Sequence, residues 1–348
     1  MVAGGAGAVP LMFEKVYSGR WLTAEKLESL PPALIFHARP KLANSLFEGK
    51  FRFLNALSAH ARDQGLELFV THFSREVQRM AMGDLAHHHI FMDDMPGYAL
   101  NTMFCVPSYL RGFWFFDEIG TRNNSTQRIE PFHASLIAPE EAEAFHAHLH
   151  RRHIEVNRSR LPQPPKGQTL EKGALCLFVQ GFTDQPYHRH FMSAPEFIEA
   201  AIATKGARKL YIKAHPTQKP DELEVVQSYH NPDNGVEVID ASIHDMLPIA
   251  HCVLTLTSAV GIEAFIHEKP VVLGGQTDFW QNAITLTNPE KLGQAIEAAV
   301  ARDWPHRAFL TWFFQDKLLG DHEKSLPEAL EKLHRKGWLW ADTGRGYF

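Results

Sequence analysis

AHCVLTLTSAVGIEAFIHEKPVVLGG, residues 250–275, decides the fold of this chain. An apolar run over 252–257 leads through hydroxyls and a glycine into a stretch at helical spacing over 261–267. A second apolar run over 270–273 closes on Gly274-Gly275. Strand, helix and strand in that order form a crossover unit with its strands parallel. Outward from this stretch the alternation continues. Strands are predicted at 175–180, 209–214 and 236–239, and helices at 195–204, 243–249 and 289–300. The expected result is a doubly wound domain with its ligand at the carboxyl ends of the strands.

The first half alternates less cleanly. Strands are predicted at 34–37, 66–71, 89–92, 103–106 and 112–116, with a helix over 46–64 between the first two. A helix over 139–157 opens on acids and ends on basic residues, as the helix dipole favours. The three prolines of SRLPQPPKGQ, residues 159–168, exclude a helix or a central strand, so the domain boundary is placed there. The expected layout is an N-terminal domain over 1–160, a Pro-rich linker over 161–169 and a second domain over 170–303. A helical, aromatic-rich segment over 304–348 is expected to pack back on the first domain.

Composition narrows the class. The 348 residues suit two domains, and 45% hydrophobic with 22% charged residues is ordinary for a globular chain. A net charge of −5 gives no polycation for nucleic acid. No apolar run approaches the ~20 residues that span a bilayer, and the start lacks a signal peptide's pattern. Cys105, Cys176 and Cys252 lie in apolar runs and read as buried thiols of a reducing, cytoplasmic compartment. The 21 histidines cluster at 87–89 and 146–153, but match no metal-ligand spacing and are expected to be solvated.

Four constellations end strands of the second half. Gln180-Gly-Phe-Thr-Asp184 sets a carboxylate in a glycine-containing turn, with cationic Arg189 close behind. Lys213-Ala-His215-Pro216 leaves an imidazole at a sheet edge. Thr257-Ser258 leads to a helix carrying Gly261 and Glu263, where the hydroxyls either cap the helix or share its free amides with an anion. Gly274-Gly275 allows close approach to the backbone.

The ordered set KAHP…TSAVGIEAFIHEKPVVLGG resembles the nucleotide-sugar half of capsule polysaccharide glycosyltransferases. It is most similar to the retaining β-Kdo transferases, whose Gln-x-x-x-Asp pattern Gln180 to Asp184 fits. That resemblance implies a GT-B-like α/β fold, two Rossmann-like doubly wound domains facing a central cleft. It implies that Asp184 attacks the donor's anomeric carbon, that His215 and Ser258 bind CMP, and that Lys213 assists at the phosphate. The continuation Gln185-Pro-Tyr187-His188 departs from the family pattern and leaves other donors in play, UDP- or GDP-sugars among them. A non-catalytic nucleotide- or glycan-binding protein is the alternative of a different class.

In the first half, FWFFDEIGTRNNST delivers acids into a Gly- and Asn-rich loop, and Glu118 is the candidate acid/base. Arg39, Arg122 and Asn124 are the candidate acceptor-side contacts. The expected partners are a nucleotide-sugar donor and a glycan or glycolipid acceptor, with room for peripheral contact with the inner membrane or a polysaccharide assembly complex. No cofactor and no metal is expected, because Asp93-Asp94 does not form an Asp-x-Asp motif.

Overall fold

The computed structural model describes residues 12–182 and 189–341, which divide into two α/β units. The first comprises Met1–Ser108, Gly112–Thr126 and Leu318–Phe348; the second comprises Tyr109–Arg111 and Gln127–Lys317.

The first unit is built on β1 (Val16–Tyr17), β2 (Ala33–Ala38), β3 (Glu67–His72), β4 (His88–Met92), β5 (Thr102–Pro107) and β6 (Phe113–Asp117). A short C-terminal strand, Leu319–Gly320, completes the seven-stranded sheet in the order β1-β3-β2-β4-β5-β6 and then Leu319–Gly320. β1 to β5 pair in parallel, whereas β6 runs antiparallel to β5 and to Leu319–Gly320. Alternation along β2 explains its two covered faces. Leu34, Phe36 and Ala38 join a core with Phe53 and Leu57, while Ala33 and Ile35 face a smaller cluster with Leu27 and Val77.

The continuous helix expected over 46–64 is in fact two, Pro40–Phe47 and Arg52–Asp63. Gly49 takes a left-handed φ of 67°, and Gly49 N–H and Lys50 N–H donate to Leu46 O and Ser45 O, both at 3.0 Å. This is the Schellman stop, which overrides an apolar periodicity that continues through it.

The second unit carries β7 (Ala174–Phe178), β8 (Leu210–Lys213), β9 (Val236–Val238), β10 (Ala250–Thr255), β11 (Val271–Leu273) and β12 (Ile284–Thr285). All pair in parallel in the order β12-β11-β10-β7-β8-β9. The chain starts at the centre, winds outward through β8 to β9, and returns to the other side of β7. Leu175, Leu177 and Val179 face Phe197, Ile198 and Leu292 on one side, and the Cys176 thiol reaches Met246 O on the other. The expected doubly wound domain is what is found, and the helix Pro220–Ser228 joins the predicted ones.

The layout of segments differs from the expected one. Helix Pro139–Leu149 belongs to the second unit, where His146 Nε2 donates to Ile266 O at 2.8 Å. The Pro-rich stretch is tied to that unit as well. Gly167 and Gln168 N–H donate to Asp245 Oδ2 at 2.9 and 3.1 Å, and Ile243 N–H donates to Gln163 Oε1 at 3.2 Å. Residues 304–317 stay with the second unit, and only Leu318–Phe348 joins the first. Cys105, Cys176 and Cys252 are buried free thiols, as their apolar runs suggest.

Candidate functional site

In an open α/β sheet the crevice lies where the winding reverses. In the second unit that point falls between β7 and β10, and the residues leaving these strands meet across it. Gln180 Oε1 accepts from Thr257 N–H at 2.8 Å and from Thr257 Oγ1 at 3.0 Å. His190 Nε2 lies 3.1 Å from Thr257 Oγ1, and His190 pairs with Gly275 in an isolated bridge. Both ends of the segment between Gln180 and His190 are therefore fastened to one threonine. Asp184, the expected nucleophile, lies outside the described residues.

β8 delivers His215 beside this junction. Its N–H donates to Gln218 Oε1 at 3.1 Å, and Gln218 Nε2 donates to Gln180 O at 3.4 Å. Burial, then the positive charge of Arg160, hold the His215 ring below its ordinary pKa, so it is neutral at pH 7. Pro216 follows in an exposed turn. Lys213 is buried and ion-paired to Asp240 Oδ1 at 2.6 Å, so its charge is already matched.

The hydroxyls of Thr255 and Ser258, on either side of Thr257, serve the backbone. Thr255 Oγ1 accepts from Ser258 N–H and Ser258 Oγ accepts from Val260 N–H, each at 3.3 Å. The helix that follows, Val260–Ile266, makes about two turns, and its N-cap position is held by Ala259, which makes no side-chain cap. Gly261 and Glu263 point into the unit. A Cβ on Gly261 would meet Phe279 Cε2 at 2.8 Å. The Glu263 carboxyl is pushed up to about 7 by burial, against a hydrogen bond from Ser159. Arg189 is exposed, with Nη1 3.5 Å from Gln276 Oε1. Gly274-Gly275 serves backbone packing, because a Cβ on Gly275 would lie 2.9 Å from Arg189 O.

The first unit reverses between β2 and β4, and there Arg39 meets Asp93. Arg39 Nε donates to Asp93 Oδ2 at 2.6 Å, with the guanidinium side 63% exposed and the carboxylate 1%. Asp93 Oδ1 also accepts from Met95 N–H at 3.1 Å. Next to it, Asp94 pairs with Arg122 and accepts from Thr121 Oγ1 at 2.8 Å, while Asn124 Nδ2 donates to Asp94 O at 3.4 Å. Burial would raise the Asp94 carboxyl, but Arg122 and Thr121 outweigh it and hold it low. Arg122 has a left-handed φ of 51°, a strained conformation for a side-chain-bearing residue. The adjacent acids, passed over in the sequence because they lack metal-motif spacing, thus organise this edge.

Glu118 is exposed and its carbonyl accepts from Lys336 Nζ at 3.2 Å. Its neighbour Asp117 shapes the loop, accepting from Ile119, Gly120 and Thr126 N–H at 2.8 to 3.0 Å.

The His87-His88-His89 run is not the solvated face expected. His37 Nε2 lies 2.9 Å from His89 Nδ1, His89 Nε2 3.0 Å from Asp84 Oδ2, and His87 Nδ1 2.8 Å from the same oxygen. Strand periodicity turns His37 and His89 onto one covered face, where Asp84 accepts from His87 and His89. Among the described residues no cluster of His, Cys, Asp or Glu could hold a metal ion, and no helix is long and apolar enough to cross a membrane.

Residues 171–315 match the family described as capsule polysaccharide biosynthesis protein. The match spans the second unit's sheet and all its strand-end residues, and it bears out the kinship read from the ordered motifs. No curated protein matches the chain. Among solved structures, the chain is similar to Thermosulfurimonas dismutans KpsC, beta Kdo 2,4 transferase. The two are 15% identical with a TM-score of 0.46, over 81% of this chain and 91% of that one. The KpsC beta Kdo 2,7 transferase of the same organism is 13% identical with a TM-score of 0.48, over 88% and 99%. The wall teichoic acid polymerase TagF is 8% identical with a TM-score of 0.32, over 90% of each chain.

Proposed function

We propose that this chain, whose second unit carries the capsule polysaccharide family match, is a glycosyltransferase that transfers Kdo or a related acidic sugar from a CMP-sugar. The observation that carries the reading is the meeting of Gln180, Thr257 and His215 at the reversal point of a doubly wound sheet. That is where such sheets bind nucleotides. The His215 Nε2 edge and the Ser258 hydroxyl would contact the CMP moiety.

Retention follows from the Gln180-to-Asp184 pattern. The Asp184 carboxylate attacks the anomeric carbon as the bond to the CMP phosphate oxygen breaks, and CMP leaves with the electron pair. The acceptor hydroxyl, its proton taken by Glu118, then displaces Asp184 and restores the carboxylate. The switch-point pair Arg39–Asp93 of the first unit, with Arg122 and Asn124, would hold an anionic glycan or glycolipid acceptor. Neutral donors and Arg189 would stabilise the departing phosphate without a metal ion.

Calorimetry tests the donor reading. CMP should bind tighter than UMP or GMP, and His215→Ala should weaken CMP about ten- to hundredfold. Equal affinity for all three nucleotides would end the CMP assignment. Incubation with CMP-Kdo and no acceptor should add one sugar to the peptide carrying Asp184, and Asp184→Asn should abolish both adduct and turnover while still binding CMP.

A further inference from the structure

His215, Pro216, Thr217 and Gln218 form a turn closed by Gln218 N–H to His215 O at 2.9 Å. The fixed φ of Pro216 suits the turn's second position. Within it, the N–H of Thr217 lies 3.2 Å and the Oγ1 of Thr217 2.9 Å from His215 Nδ1. A main-chain N–H can only donate. Nδ1 must therefore carry a lone pair, and the ring proton of neutral His215 sits on Nε2.

We propose that Thr217 is a positioning residue that locks His215 as its neutral Nε2–H tautomer, so that the end of β8 presents a fixed, uncharged donor to an anionic phosphoryl oxygen. The proposal rests on the nucleotide reading above and specifies how the nucleotide's charge is met. Protonating Nδ1 would set N⁺–H against the N–H of Thr217 and forfeit that contact, leaving the hydroxyl alone to turn and accept. Arg160 acts on the ring from the Pro-rich stretch and also disfavours its charge. Lys213, on the same strand, is balanced by Asp240. Gln218 fixes the ring's backbone against Gln180, so the donor stands at a set distance from the Gln180–Thr257 junction. A neutral ring so held donates a hydrogen bond and keeps its proton, and the leaving CMP departs as the anion.

The imidazole nitrogens of ¹⁵N-histidine-labelled protein give the tautomer directly. At pH 7 without ligand, His215 should show a protonated Nε2 and an unprotonated Nδ1. Thr217→Val, which removes the hydroxyl and keeps the main-chain N–H, should raise the Nδ1–H fraction from its wild-type level and weaken CMP about three- to tenfold, while Thr217→Ser should restore both. The wild-type to His215→Ala ratio of CMP affinities, in which the nucleotide's own titration cancels, should stay flat between roughly pH 6 and 8. A ratio that grows as pH falls would reveal an imidazolium and overturn the proposal, as would a wild-type Nδ1–H tautomer or an indifferent Thr217→Val. If no form bound CMP, the nucleotide reading would fall and take the phosphoryl role of His215 with it. A wrong tautomer would sink the lock whether or not CMP binds.

Discussion

The hydroxyl of Thr257 has one proton, and it goes to Gln180 Oε1, so the 3.1 Å contact with His190 has to run from Nε2–H to the threonine oxygen. One hydroxyl thereby satisfies partners on either side of the segment that holds the expected nucleophile. Thr257→Val should cost about 1–2 kcal/mol of stability, because two polar partners lose their mate in a largely buried setting. It should also reduce turnover more than it reduces stability, while Thr257→Ser stays near wild type in both. Chemical denaturation and initial rates measure the two; a Val variant as active as the Ser variant would separate Thr257 from the site. The strand-end placement of Gln180, His215, Thr257 and Ser258 was legible in the sequence because a polar side chain just past a buried strand has few other places to go. Lys213 looked the same and is not the same. Its partner, Asp240, comes from after a different strand, and nothing local announces the pairing. The burial of Glu263, named with the donor-side candidates, was not legible for a similar reason: its hydrogen-bond partner, Ser159, lies in the Pro-rich stretch before β7.

At the scale of elements, five of the six strands of the second unit fall within a residue or two of where their apolar runs place them, since a strand covered on both faces is a continuous hydrophobic word, while the two-residue edge strand β12 has no such run. Boundaries that depend on backbone conformation were harder to read, as the stop at Gly49 shows. Gly261 poses the same problem in another form. Gly261 follows the hydroxyl pair and stands with the donor-side candidates in the sequence, yet the space at its Cβ is occupied by Phe279 Cε2 at 2.8 Å. Gly261→Ala should therefore push against a buried ring and destabilise by roughly 1–3 kcal/mol. CMP affinity of the folded fraction should hardly change. A variant with unaltered melting temperature but weakened CMP would return Gly261 to the ligand side.

Across the whole molecule, the histidines act together. His88, His153 and His306 are pushed down to about 4 and His267 to about 3, in each case first by burial. The unfolded chain takes up these protons near 6.5, the folded chain only near 4, so between those values the unfolded state binds more protons and stability falls as pH falls. Glu263, raised to about 7, runs the other way over part of the window, but it is one group against four. Discounting the part-exposed rings leaves a net loss of roughly 2–4 kcal/mol per pH unit, enough to exhaust an ordinary domain's stability near pH 5. Carboxylate-driven acid unfolding would begin lower, so the position of the transition identifies its cause. His153 isolates one contribution, because both its ring nitrogens are buried without a hydrogen-bond partner among the described residues and Arg152 and Arg158 add to the burial that keeps it neutral. His153→Leu should stabilise the protein modestly at pH 8, by relieving unsatisfied polar atoms, and by about 2 kcal/mol more at pH 5. Thermal melts at the two pH values read the difference. An equal gain at both would mean that His153 does not resist protonation in the fold, and that the acid sensitivity has another origin.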